Sequence, residues 1–140
     1  MVDFTSKFGR AVLQHIAEQY VIWLTTVDSK LTPQPRPVWF VWENDSFLIF
    51  SQPHAQKVKH ILKNPGVALH FNTDETGDKR VVVFTGQASI DAVSPAAHQV
   101  PAYLKKYKEA IAGLEMSPEE FSREYSTAIK ITPTEVRGWE

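Results

Sequence analysis

Within the thirty residues from Arg36 to Pro65, an arginine, Ser51 and three lysines stand beside two very apolar strands. Apolar strands offer a wall for a flat ring. The stretch from Pro53 predicts a helix whose N-terminus presents free N–H groups and the positive end of a dipole, which attract phosphate. Ser51 can donate a hydroxyl there, and Lys57 can act as a point charge, with Lys59 and Lys63 following on the same helix. A planar aromatic molecule with a phosphate tail needs these two features together. The competing reading of the helix alone is a solvated charged face behind a capping serine.

Arg36 sits between Pro35 and Pro37, so its backbone is stiff and its direction fixed. At the mouth of an apolar strand it can reach a carbonyl or a phosphate; the alternative is a surface salt bridge. Trp39 and Trp42 point to opposite faces, so one can border a ring while the other sits in a core or a subunit contact. Of the five histidines, His54 lies just before the helix and can touch a ligand, although a solvent-facing loop position suits it better. No HExxH, acidic pair or i, i+4 histidine pair suggests a metal. No GxSxG, P-loop or GxGxxG supports an α/β hydrolase, a P-loop nucleoside triphosphatase or a Rossmann fold. No residue is singled out as catalytic. Trp139, near the chain end, is expected to plug a barrel end or a dimer seam.

These side chains need a frame. Apolar residues three and four apart predict a helix over Thr5–Gln19. Tyr20–Thr26 is β-branched and aromatic, hence a strand. Pro33, Pro35 and Pro37 alternate, which predicts a strand that begins at an edge or bulge and becomes regular after Pro37. Asn44–Asp45 is a tight-turn signal before a strand at Phe47–Ser51. Val58, Ile61 and Leu62 form the apolar face of the basic helix, which Asn64–Pro65–Gly66 stops. Val67–Asn72 and Arg80–Ile90 follow as strands, the latter with Gly86 marking a bulge. Ser94–Pro95 opens a helical region that Pro101 restarts and that runs to about Ala112. Ser117–Glu120 has the capping-box pattern, and Ser126–Trp139 reads as a final strand interrupted at Pro133. Short connections favour an antiparallel sheet. Val38–Trp42 and Val81–Phe84 are apolar on both faces, so a nearly closed barrel must cover the inside and helices or a second subunit the outside.

With 140 residues, 43% of them hydrophobic, the chain suits one domain with a sizeable core, residues 1–140. A net charge of -1 argues against bulk nucleic-acid binding. The absence of cysteine excludes disulfides and thiolate chemistry and fits the cytoplasm. No apolar run approaches the roughly 18 residues of a membrane span, and the start MVDFTSKFGR lacks a signal-peptide core.

Taken together, the N-terminal helix before VIWLTTV, PQPRPVWFVW, FLIFSQP, AQKVKHILKNP, GVALHF, VVVFTGQASI and the closing VRGW resemble the pyridoxamine 5′-phosphate oxidase-like split-barrel family. The chain looks most like its F420-dependent oxidoreductase branch. The resemblance implies a mainly β, six-to-seven-stranded Greek-key-like split barrel and a homodimer with cofactor sites at the subunit interface. It implies that Arg36, Val38 and Trp39 run along the ring, that Ser51, Gln52 and Lys57 hold the phosphate region, and that Arg80 enters from the second subunit. The B6 oxidases carry basic residues where Val41–Trp42 and Gln56 stand, and a C-terminal arginine motif that VRGW does not match. These departures point away from pyridoxamine phosphate oxidation and towards an oxidoreductase using reduced coenzyme F420. FMN, or a non-catalytic flavin or F420 carrier, is the alternative; a dimerisation domain with a dead site would bind neither.

Overall fold

The computed structural model describes residues 2–140. Helix α1 (Lys7–Glu18) precedes strands β1 (Val21–Val27), β2 (Pro33–Trp39), β3 (Val41–Glu43) and β4 (Ser46–Ser51). Helix α2 (Gln56–Lys63), β5 (Gly66–His70) and β6 (Val81–Ile90) follow. A short 3-10 turn (Ala97–Gln99), α3 (Pro101–Gly113), α4 (Pro118–Glu124) and β7 (Thr127–Trp139) complete the chain. One seven-stranded antiparallel sheet has the order β2-β1-β5-β6-β7-β4-β3. Its two edge strands are consecutive in sequence and joined only through Phe40. The chain itself therefore bridges the two edges and curls the sheet into a split β-barrel. Among the described residues no helix is long and apolar enough to cross a membrane.

The proline strand is regular from Pro33 onwards, not from Pro37. Pro33, Pro35 and Pro37 oppose Val27, Thr25 and Trp23 without a break. Because β2 is an edge strand, the missing N–H groups cost no ladder bond on its open side. The bulge expected near Gly86 is present. Thr85 pairs with Glu135 and Gly86 with Pro133, so Thr134 is the extra residue, and Pro133 is carried in the strand at the irregularity. A Cβ on Gly86 would lie 2.6 Å from the Thr132 carbonyl oxygen, which explains the glycine. Two helix starts differ from expectation. Helix α2 begins at Gln56 rather than Pro53, and Ser94–Pro95 leads only to the 3-10 turn.

The barrel interior is filled by the inward positions of the sheet, closed by Val12 and Ile16 of α1 and by Val58 and Ile61 of α2. Leu62, expected in the buried face of α2, is instead 71% exposed. A second cluster lies outside the barrel, where Tyr103, Tyr107 and Ile111 of α3 and Phe121 of α4 cover Val41, Phe50 and Ala128. Trp39 joins this outer layer and Trp42 the inner one, as their opposite faces require. Val21, Trp23 and Val27 of β1, Ala68 of β5, and Val81 and Val83 of β6 belong to neither cluster and stay half-buried.

Lys106 of α3 donates to the Phe40 carbonyl at 3.0 Å, with Nζ 3.6 Å from the Phe40 ring centroid. Burial lowers its pKa from 10.5 to about 8. Between those values the unfolded chain holds a proton that the folded chain releases, so stability rises with pH across that window. Buried Tyr103 and Tyr107 act oppositely above pH 10, because burial raises both pKa values and only the unfolded chain ionises there. Thermal unfolding of the wild type should thus peak between about pH 8 and 10, and Lys106→Met should flatten the rise. A rise as steep in the variant as in the wild type would assign it elsewhere.

Candidate functional site

A groove of about 1000 Å³ opens between the β1–β2 hairpin and α2. Period-two alternation supplies one wall. Ile22 and Leu24 of β1 point into the barrel, and the next inward residue, Thr26, reaches the mouth. Opposite Thr26 and Leu24 stand Gln34 and Arg36. The other wall is α2, whose first turn has no side-chain cap, so its N–H end faces the groove lined by Ala55, Gln56 and Lys57.

Two ties hold the walls together. The Asn64 amide donates to the Val27 and Asp28 carbonyls at 3.4 and 3.3 Å. Deeper in, the Thr26 hydroxyl lies 2.8 Å from His60 Nδ1.

The charge on the walls is one-sided. Lys30, Arg36, Lys57, Lys59 and Lys63 line the groove against the single carboxylate of Asp28. Asp28 is already occupied, accepting from the Lys30 and Thr32 amides at 2.9 Å and from the Gln34 side chain at 3.1 Å. The Thr32 amide, chief among these contacts, holds its pKa low. Among the described residues none of the five cations forms an ion pair. Lys57 has its pKa lowered first by burial and then by the charge of Arg36. Two cations that repel each other in a half-buried groove can take an anion between them.

Of the residues singled out in the sequence, Arg36 and Lys57 meet here, with Lys59 and Lys63 beside them. The Arg36 guanidinium rests on the Pro35 carbonyl at 2.8 Å. The others do not line this groove. Val38 is buried in the barrel core. Trp39 is stacked on Tyr107 and Phe121 at centroid distances of 4.8 and 5.7 Å. The buried Ser51 hydroxyl donates to the Gln52 carbonyl at 3.0 Å, and the Gln52 amide donates to Glu124 at 2.9 Å. Arg80, at φ 59°, lies 3.3 Å from His15 Nδ1 and 3.6 Å from Glu18. The half-exposed Trp139 donates to the Asp78 carbonyl. His54 is exposed, and the groove takes His60 instead. Sequence reasoning passed over Thr26, Gln34 and His60. Extending the two-residue period of β1 and β2, and stepping three residues along the helix from Lys57, would have found them.

A family model described as pyridoxamine 5′-phosphate oxidase matches residues 8–140. The chain belongs to this family. Within the pyridoxamine 5′-phosphate oxidase family, a curated relative is the pyridoxine/pyridoxamine 5′-phosphate oxidase 2 of Hydrogenovibrio crunogenus, 28% identical over 131 residues. The match covers 87% of this chain and 61% of that relative's length. A conserved hypothetical protein from Mycobacterium tuberculosis shares the fold with a TM-score of 0.78 at 17% identity, over 97% of this chain and 85% of that one. A structure named F420 reductase gives a TM-score of 0.64 at 24% identity, over 84% of this chain and 89% of that one. At such identities the likeness is one of fold.

Proposed function

We propose that this chain is an oxidoreductase that holds a phosphorylated flavin-type cofactor in the Arg36–Lys57 groove, with reduced coenzyme F420 as first choice and FMN as the alternative. The observation that carries the reading is the pair of mutually repelling cations beside an uncapped helix start. A phosphate there gains two charge-assisted partners and relieves their repulsion. Lys30, Lys59 and Lys63 extend the positive surface beyond the pair, which suits a tail with more than one anionic group and favours F420. Pro37, Ala55 and Leu62 give the groove its apolar part. When bound, the cofactor supplies the hydride chemistry; the chain's own residues bind, orient and exclude water.

Titration of the purified protein with F420 and with FMN tests the reading. Tighter binding of F420 is expected. Tighter FMN would reverse the choice, and binding of neither would overturn the proposal. Reduced cofactor should turn over repeatedly with a panel of enones and quinones; a single stoichiometric oxidation would leave a carrier, not an enzyme.

The half-buried face formed by Trp23, Ala68, Val83 and their neighbours supports a homodimer. Trp23 stacks on His70 at 6.1 Å and donates to Asn72, so this face is ordered and apolar but uncovered. Its edge is β2, so a second copy seated there borders the groove. Sedimentation should show a dimer at micromolar concentration, and Trp23→Glu should yield a monomer with weakened cofactor affinity. A monomeric wild type would remove the interface model.

A further inference from the structure

His60 faces the groove with one ring nitrogen spoken for and the other free. Its Nδ1 is held by the hydroxyl of Thr26, a residue 2% exposed on the barrel wall. Its Nε2 has no hydrogen-bond partner among the described residues. Every buried side-chain nitrogen and oxygen among them has one, so Nε2 is not buried. The ring lines the groove, hence Nε2 opens into it, one helical turn from Lys57 and from Lys63. A buried hydroxyl that fixes the opposite ring edge orients the imidazole, as partners behind a functional histidine generally do.

The geometry points to His60 as an anion-positioning residue: the Thr26 hydroxyl donates to Nδ1 and fixes the ring, so that the proton on Nε2 is offered to an anionic oxygen, phosphate or carboxylate, lying between Arg36 and Lys57. This rests on the proposed cofactor reading and adds a directional donor to it. Lysines attract from any angle, whereas a locked N–H selects one oxygen position. Asp28, the one carboxylate on the groove walls, already accepts from the Lys30 and Thr32 amides and from the Gln34 side chain.

The test uses two substitutions that divide the ring. His60→Asn keeps an amide near Nδ1 and removes the donor at Nε2; His60→Gln places an amide nitrogen near Nε2. Affinity for FMN, F420, inorganic pyrophosphate and the uncharged riboflavin is measured for each, with Tm as a check on folding. His60→Asn should weaken FMN, F420 and pyrophosphate roughly tenfold, leave riboflavin unchanged, and be largely rescued in His60→Gln. Thr26→Val should weaken the same three ligands by freeing the ring. Equal loss of riboflavin, or wild-type affinities in His60→Asn, would overturn the assignment while Lys57→Met still weakened FMN and left the cofactor reading in place. A wild type that binds none of the anions would overturn both.

Discussion

Lys57→Met is expected to weaken phosphorylated cofactor by about 1–3 kcal/mol, roughly 5- to 150-fold, while making the cofactor-free protein harder to unfold. Methionine keeps much of the volume and loses the charge. The loss of affinity follows from one charge-assisted contact. The gain in stability follows from a sign. Burial, and then Arg36, lower the Lys57 pKa from 10.5 in the folded chain. The unfolded chain therefore keeps its proton over a range where the folded chain releases it, and stability rises with pH towards the unfolded value. At neutral pH the charged Lys57 is a cost that methionine removes. Arg36→Met relieves the same repulsion, so in the double variant the second substitution should stabilise less than it does alone. With ligand, both losses of affinity appear. The measurements are Tm without cofactor and Kd for FMN and F420, followed from neutral pH upwards. Wild-type affinity should fall with rising pH earlier than an ordinary lysine would make it fall, because burial and Arg36 lower the Lys57 pKa, and should stay flatter in Lys57→Met. A variant that binds as the wild type does would sink the phosphate assignment. A Tm that falls would show that Lys57 contributes more through its stem than it costs through its charge.

The half of the groove that is local in sequence was legible. Arg36 between two prolines, and lysines on one short helix, declare their types and approximate direction without tertiary information. The strand at Tyr20–Thr26 was declared by its β-branched and aromatic residues, but both of its faces are apolar, so the sequence did not say which one, Ile22 and Leu24 or Val21 and Trp23, turns inward. What could not be read was pairing over long distances. Ser51 and Gln52 stand before a basic helix and invite a phosphate reading, yet the Gln52 amide goes to Glu124 of α4. Trp39 looks available for a ring until Tyr107 of α3 and Phe121 of α4 stack on it. In both cases a helix folded back from far along the chain supplies a partner, and local spacing carries no trace of it. The same limit applies to Leu62. Its helical spacing from Val58 matches a buried stripe, but only Val58 and Ile61 turn into the core, and Leu62 lies on the groove.

Tyr107→Phe is expected to lower stability by about 1–3 kcal/mol, a fall in Tm of about 3–15 °C, because it strips the partner from a buried backbone amide. Phe40 is the residue at which one edge strand becomes the other, so neither strand ladder supplies its hydrogen bonds. It is fully buried, and solvent cannot substitute. The Tyr107 hydroxyl accepts from the Phe40 amide at 2.7 Å and lies 2.9 Å from the Phe40 carbonyl and 2.8 Å from the Tyr20 carbonyl. Having one proton, it serves either carbonyl at a time, and Lys106 covers the Phe40 carbonyl from the other side. Losing Lys106 leaves that carbonyl a partner; losing Tyr107 leaves the amide none. Tyr107→Phe should therefore cost clearly more than Lys106→Met, although phenylalanine preserves the stacking on Trp39. The site should feel it too. β2 carries Arg36 four residues before the junction, so a loosened Phe40 moves one of the two cations that the phosphate requires. Weaker cofactor binding together with lower stability is then the signature of Tyr107→Phe, against weaker binding with higher stability in Lys57→Met. Equal Tm values for Tyr107→Phe and the wild type would mean that the Phe40 amide finds another partner and that the barrel split does not depend on α3.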